Sequence, residues 1–361
     1  MSRENYKRLG DYIRMVDVRN RDLSVTNLLG VSISKTFIPS IANTIGTDMS
    51  TYKIVKPYQF AYGPVTSRNG DKITFALYKG SEPCIISSAY VCFEIIDKEK
   101  LDPDYLMMWA LRPEFDRYAR FKSNGSAREI FSWEDMCDVL LPIPAIDEQR
   151  KIVRQYQAVE SRIRANEEIV AKLEESAQAI YKKMFVDNID TEDLPNGWHI
   201  GTFDDIAHIS SGKSLNDKED TPNKEYIYPV AGASGIIGYA KEYNYDKPFL
   251  TTGRVGTIGV ANKYKCKTWA ADNVLVIQSE YYELSYQILK SIHFEDITKG
   301  GVQSLITQTD LKKVPVLLAP REYLIAFESK AIIIDKAIED VMGEIKTLGE
   351  MRFLLLEKMS K

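Results

Sequence analysis

The feature that most constrains this chain is a repeat. Ile152, Tyr156, Val159, Ile163, Asn166, Val170, Leu173, Ala177, Ile180 and Met184 are spaced alternately four and three residues apart. Phe327, Ala331, Ile334, Ile338, Val341, Ile345, Leu348, Arg352, Leu355 and Met359 follow the same rhythm. A sustained 3.5-residue period is the mark of a coiled-coil seam. The two series lie 175 residues apart, with Ile152 mapping to Phe327 and Met184 to Met359. The offset persists upstream, where Val139 maps to Val314 and Gly125-Ser126 to Gly300-Gly301. One module therefore occurs twice, too few copies for a solenoid.

Two long helices and two globular segments follow from this. Each helix cannot bury its apolar stripe alone, and its natural partner is the other helix. An antiparallel pair would put the globular segments at opposite ends of a spacer, each helix spanning roughly 50–60 Å. Asn166 in the first seam either fixes register, as a buried Asn does in coiled coils, or sits on its frayed side. Arg352 makes the second seam imperfect. Val153, Ile169, Ile332 and Ile333 lie beside the seam as apolar residues available to a partner. The expected organisation is a first domain over 1–145, a helix over 146–185, a second domain over 186–320 and a helix over 321–361.

The globular segments read as α/β, in the α+β sense of mixed sheet with short helices. Strands are expected over 52–62, 73–78 and 84–96 in the first. In the second they are expected over 199–209, 249–252, 256–264 and 274–278. Helices are expected over 105–119 and 282–293.

Composition excludes several classes. At 361 residues, with 44% hydrophobic and 27% charged residues, the chain can bury a sizeable core. No apolar run approaches a membrane span, and the polar N-terminus does not read as a signal peptide. Four scattered cysteines read as reduced thiols in a cytoplasmic protein. With three histidines and no paired Cys spacing, no metal site is expected. Ser211-Gly212-Lys213-Ser214 resembles the end of a phosphate-binding loop, but Ala207 stands where the leading glycine is required. Methyltransferase and nuclease signatures are absent, so a non-catalytic recognition chain is expected.

The net charge of −4 does not advertise nucleic acid, and residues 186–320 alone carry 13 basic and 18 acidic residues. A DNA-binding surface would have to be local. Lys241–Lys267 is such a stretch, with Arg254, Lys263 and Lys265 interleaved with tyrosines. Arg112–Arg128 is another. It ends in a glycine-bearing loop with Lys122, Asn124, Ser126 and Arg128, matched in the second copy by Lys299 and Gln303. The segment Tyr62–Gly70, which holds Ser67, Arg68 and Asn69, occupies a place matching Thr251–Gly256, which holds Thr252 and Arg254. With Gly212, Lys213 and Ser214, these are the candidate DNA contacts: cations for phosphates, small polar groups and amides for base edges. Read on the residues alone, a C-cap, a hairpin turn or a solvated face accounts for each of them as well.

Leu194-Pro195-Asn196-Gly197-Trp198, Phe203-Asp204-Asp205-Ile206, Thr251-Thr252-Gly253-Arg254-Val255-Gly256-Thr257-Ile258-Gly259 and Asp147-Glu148-Gln149-Arg150 appear in an order that resembles the specificity (S) subunit of type I restriction-modification systems. The first module lacks the Leu-Pro-x-Gly-Trp entry, and the second helix start, Pro320-Arg321-Glu322-Tyr323, lacks the Glu-Gln pair. The resemblance implies two target-recognition domains reading one half each of a bipartite, asymmetric double-stranded DNA target. It implies helices that set the gap and dock two modification subunits, joined by restriction subunits in systems that cleave. S-adenosylmethionine and ATP with Mg would then sit on those partners, and this chain would bind no cofactor. The competing reading is a coiled-coil adaptor with no sequence-specific DNA binding.

Overall fold

The computed structural model describes residues 6–40, 46–67, 70–124, 129–187, 189–298 and 305–359. The chain divides into two units. The first comprises Met1–Ala165 with Glu344–Lys361, the second Asn166–Gly343.

In the first unit, β1 (Tyr6–Arg8) leads into β2 (Ile13–Val16), β3 (Leu29–Val31), β4 (Phe37–Pro39), β5 (Lys53–Val55), β6 (Phe60–Tyr62), β7 (Phe75–Leu77), β8 (Cys84–Ile86) and β9 (Val91–Ile95). Three short helices follow, α1 (Pro103–Ala110), α2 (Pro113–Lys122) and α3 (Trp133–Cys137), then β10 (Leu140–Pro142) and the first half of α4 (Ile146–Phe185). The central sheet has the order β2-β9-β6-β7 and is antiparallel throughout. Its buried face is aromatic: Phe60, Phe75 and Phe93 are fully buried, with the Phe60 and Phe93 rings stacked 4.9 Å apart.

The second unit repeats this order. β11 (His199–Thr202) and β12 (His208–Ser211) precede β13 (Tyr228–Gly232), β14 (Gly235–Ala240), β15 (Phe249–Gly253), β16 (Asn262–Tyr264), β17 (Trp269–Ala270) and β18 (Val274–Gln278). Then come α5 (Tyr282–Ser291), α6 (Phe294–Ile297), α7 (Gln308–Lys312), β19 (Pro315–Leu318) and α8 (Arg321–Lys358). The sheet order β12-β18-β15-β16 reproduces the first unit strand for strand, and β11 pairs β19 as β1 pairs β10. The duplication reaches single hydrogen bonds. Ser132 caps α3 by accepting from the Asp135 amide, and 175 residues on Thr307 caps α7 by accepting from the Asp310 amide. The units differ at their edges, where the first carries the pairs β3-β4 and β5-β8 and the second a three-stranded sheet, β14-β13-β17.

Helix α4 is 40 residues long and α8 is 38. In the first unit Arg162 pairs with Glu344 and Glu160 with Arg352, so the helices run antiparallel there. In the second, Tyr181 and Phe185 of α4 pack on Phe327 of α8. All of the seam residues are buried or half-buried except Arg352, whose head ion-pairs at the margin. Val153 is buried in the first core, not free beside the seam, whereas Ile169, Ile332 and Ile333 are exposed.

The altered start of the second helix has a physical counterpart. Gln149 is fully buried and ties the first turn of α4 to the α1 cap. Its Nε2 donates to the Lys100 and Pro144 carbonyls, and its Oε1 accepts from the Asp102 amide. The corresponding residue of α8 is Leu324, which fills the same place in the repeat with an apolar contact in the second core.

Several expected elements are shorter than the sequence pattern suggests. The helix expected over 105–119 is two helices, because Pro113 forces Arg112 into an extended conformation. The strand over 52–62 is broken at Tyr58, which adopts a positive φ of 64°. The strand over 84–96 divides at a turn closed by the Tyr90 amide donating to the Ser87 carbonyl. The strand over 199–209 divides at a 3-10 turn, Phe203–Asp205, where Asp205 accepts from both the amide and hydroxyl of Thr202. Of the strand over 256–264 only Asn262–Tyr264 is extended, since Gly256 and Gly259 take positive φ and build a loop.

Candidate nucleic-acid interface

In the second unit, two separated segments converge on residues 270–274, and a third joins them at Ser211. The Gly212 amide donates to the Val274 carbonyl and the Lys213 amide to the Ala270 carbonyl. The Trp269 indole donates to the Lys213 carbonyl, and the Ser214 hydroxyl donates to Asp272 at 2.6 Å. From the other side, the Arg254 amide donates to the Asn273 carbonyl at 2.8 Å. Gln308 adds its side chain, donating to the Ser211 hydroxyl at 2.7 Å. Glycine is required at the junctions. A Cβ on Gly212 would lie 2.0 Å from the Ala271 carbonyl oxygen, and one on Gly253 1.7 Å from that of Thr257. The structure thus brings together Gly212, Lys213, Ser214 and Arg254 of the candidate set. Lys213 and Ser214 are exposed and Arg254 is partly so.

Thr252 is fully buried and works from inside, accepting from the Gly259 amide to hold the loop after β15. Lys263 and Lys265 lie elsewhere in the unit. Lys263 ion-pairs with Glu283 and Asp335, and Lys265 with Asp335 and Glu339, so their charge is neutralised inside the fold. Burial raises the Glu283 carboxyl to about 7 despite Lys263. Burial also pushes Asp335 upward, but hydrogen bonds from the two lysines outweigh it and hold that carboxyl below its usual range. Lys263 of β16 and Lys265 just after it therefore clamp this edge to α8, and they lie apart from the Gly212–Ser214 and Arg254 junction.

In the first unit, the loop after β6 and the loop after α2 pair with each other. Val65 bridges Ile130, the Phe131 amide donates to the Pro64 carbonyl, and the Thr66 hydroxyl donates to Ser123. Ser67 and Asn124 are exposed beside this pairing, and Lys122 rests its ammonium over the Tyr118 ring. Arg120 is tied to Glu129. The second unit has the same junction: Val255 bridges Leu305 and the Ile306 amide donates to the Arg254 carbonyl. Arg68, Asn69, Ser126, Arg128, Lys299 and Gln303 lie outside the described residues.

Sequence reasoning passed over Gln308 and Asn273 as contact candidates, because neither lies in a basic stretch or beside a cation in the sequence. Among the described residues no group of His, Cys, Asp and Glu is placed to hold a metal ion. No described helix is long and apolar enough to cross a membrane.

Residues 195–323 match the family model described as Type I restriction modification DNA specificity domain, which covers most of the second globular region. Two catalogued relatives are similar over shorter stretches. The type I restriction enzyme EcoprrI specificity subunit of Escherichia coli is 35% identical over 71 residues, 19% of this chain and 17% of that protein. The HindI specificity subunit of Haemophilus influenzae is 24% identical over 217 residues, 52% of this chain and 47% of its own length. The matched stretches thus span less than half of either relative. The fold match is broader. The S subunit of a type I restriction-modification system from M. genitalium superposes with a TM-score of 0.60 at 13% identity, covering 99% of this chain and 96% of that one. A chain from a study of complex assembly and conformational transition of the type I R-M system gives 0.50 at 16% identity, covering 99% and 97%.

The chain is therefore a duplicated α/β protein whose second unit contains the stretch that matches the type I DNA specificity domain model. Its resemblance to the specificity subunits of type I restriction-modification systems is borne out in sequence and in fold.

Proposed function

We propose that this chain is the DNA-recognition subunit of a type I restriction-modification complex, reading a bipartite, asymmetric target in double-stranded DNA. The observation that carries this reading is the repeated loop junction. Val65 with Ile130 and Val255 with Leu305 build the same backbone platform, but each platform presents different side chains. Two equivalent scaffolds with unlike residues suit two unlike half-sites. The contact set we propose is Ser67, Arg68, Asn69, Lys122, Asn124, Ser126 and Arg128 for one half, with Gly212, Lys213, Ser214, Arg254, Lys299 and Gln303 for the other.

Two modification subunits, with restriction subunits in a cleaving system, would dock on the long helices. The exposed apolar residues Ile332, Ile333, Phe353 and Leu354 of α8 support that assignment. Those partners would carry S-adenosylmethionine and ATP with Mg, in the cytoplasm where the DNA lies, and this chain would perform no chemistry. An adaptor without DNA binding accounts for the helices but leaves the duplicated loop platforms without a role.

Co-expression with the accompanying modification subunit, followed by mapping of methylated adenines across a DNA library, tests the reading. A split motif with a fixed gap is expected, and exchange of residues 1–145 should change one half of it only. Association without any modified adenine would overturn the DNA-reading assignment, and binding that ignores salt would favour the adaptor.

A further inference from the structure

The two loop platforms differ at one equivalent position. In the first unit the carbonyl that accepts from the Phe131 amide belongs to Pro64, and in the second the carbonyl that accepts from the Ile306 amide belongs to Arg254. Proline brings no side-chain donor to this place. Arginine brings a planar fork.

The fork stands on a fixed backbone. The Arg254 backbone is fixed on both sides, its amide donating to Asn273 and its carbonyl accepting from Ile306. Gly253 packs against the Thr257 carbonyl, so the loop cannot relax around it. The Arg254 guanidinium makes no ion pair or hydrogen bond with the described residues, and its Nε is buried without an acceptor. Elsewhere in this unit Lys241, Lys263, Lys265, Lys290 and Lys312 are each matched with a carboxylate. Arg254 has no such carboxylate among the described residues, and with its Nε buried and its side chain only partly exposed, its terminal nitrogens are the donors left for an acceptor from outside.

Its immediate surroundings suit a base edge. Asn273, whose carbonyl accepts from the Arg254 amide, has a buried Oδ1 that also lacks a partner among the described residues, and the exposed cation Lys213 is hydrogen-bonded to the same 270–274 segment. Val255 and Leu305, which bridge at this spot, are each 36% exposed. An amide and partly exposed aliphatic groups suit a base edge, and Lys213 is the cation on this platform suited to the phosphate beside it. The acceptor pair that an arginine fork matches on a base is O6 and N7 of guanine.

We infer that Arg254 is a specificity-determining residue that reads a guanine in the half-site bound by the second unit, and that Pro64 leaves the other half-site without the equivalent contact. This rests on the DNA-recognition reading above.

The test uses the complex with its modification subunits and compares the parent with Arg254→Lys and Arg254→Gln, folding being checked by the melting temperature. The parent must first show a split motif. If it shows none, the recognition reading fails and this inference falls with it. Given a motif, both variants should lose discrimination at one guanine of one half-site by about tenfold or more, with the other half unchanged. The lysine variant keeps the charge and loses only the fork, so it separates the alternatives. Unchanged specificity in Arg254→Lys, with a uniform loss of affinity in Arg254→Gln and a salt slope lower by about one, would make Arg254 a phosphate contact and overturn the inference. Unchanged specificity and affinity in both would overturn it as well.

Discussion

Lys263 of β16 is locked to Asp335 of α8, with Nζ 2.5 Å from Oδ1 and a second carboxylate, Glu283, at the same distance. Asp335 also receives Lys265. Removing one member of a buried ion cluster leaves the others desolvated and unmatched. Asp335→Ala is expected to cost about 3–5 kcal/mol, measured by denaturant unfolding. Lys263→Met should likewise destabilise, yet leave the salt dependence of DNA binding as it was. Lys213→Ala should do the reverse, lowering the salt slope by about one with little effect on folding.

The same cluster sets a pH dependence. The folded Glu283 carboxyl, at about 7, binds its proton more tightly than the ordinary value of 4.5 allows. Its contribution to stability is full below pH 4.5 and is lost as the pH rises through about 7. Asp335, held below its ordinary 3.8, works in the opposite sense, adding stability above that pH and losing it below. Between pH 4.5 and 7 the Glu283 effect governs, so the melting temperature should fall with pH. Glu283→Gln should flatten that slope, and an equally steep slope in the variant would exclude Glu283 as its source.

Asn166 is buried in the α4 seam with neither amide atom hydrogen-bonded. Two stranded polar atoms weaken a seam that aliphatic neighbours would close. Asn166→Val should raise stability by about 1–3 kcal/mol, read from the midpoint of chemical unfolding.

Gly212 offers a local test of the second platform. The Cβ of Gly212→Ala would collide with the carbonyls of Ala271 and Ala270, which accept or flank the bond from the Lys213 amide. The variant is expected to weaken binding to one half-site, with recognition of the other retained in a footprinting or methylation map.

The long helices were legible because a 3.5-residue period held over ten positions specifies a helical seam and nothing in a sheet or loop reproduces it. The seam residues are nearly all buried or half-buried. The sheets were legible in their hydrophobic strands but not in their breaks. Tyr58 turns through a positive φ that its residue type does not advertise. The edge sheet of β13, β14 and β17 is built on residues such as Ala231, Gly232, Gly235 and Gly238, which carry little strand signal. The candidate contacts were harder. Lys263 and Lys265 read as a basic patch because their partner Asp335 lies about 70 residues away on a different element. The equivalence of Pro64 and Arg254 emerges only from the bridges each loop makes, since the interval between matching elements differs from 175 there.

The first unit is not continuous in sequence. Its core takes in Met359, buried among Val153 and the residues of the first sheet and helices, after an intervening stretch that forms the whole second unit. On the ribosome, therefore, the unit that is synthesised first is finished last. The second unit is made from contiguous chain, and Met359, which completes the core of the first, is added only after it. Order of synthesis and order of completion run in opposite directions in this protein.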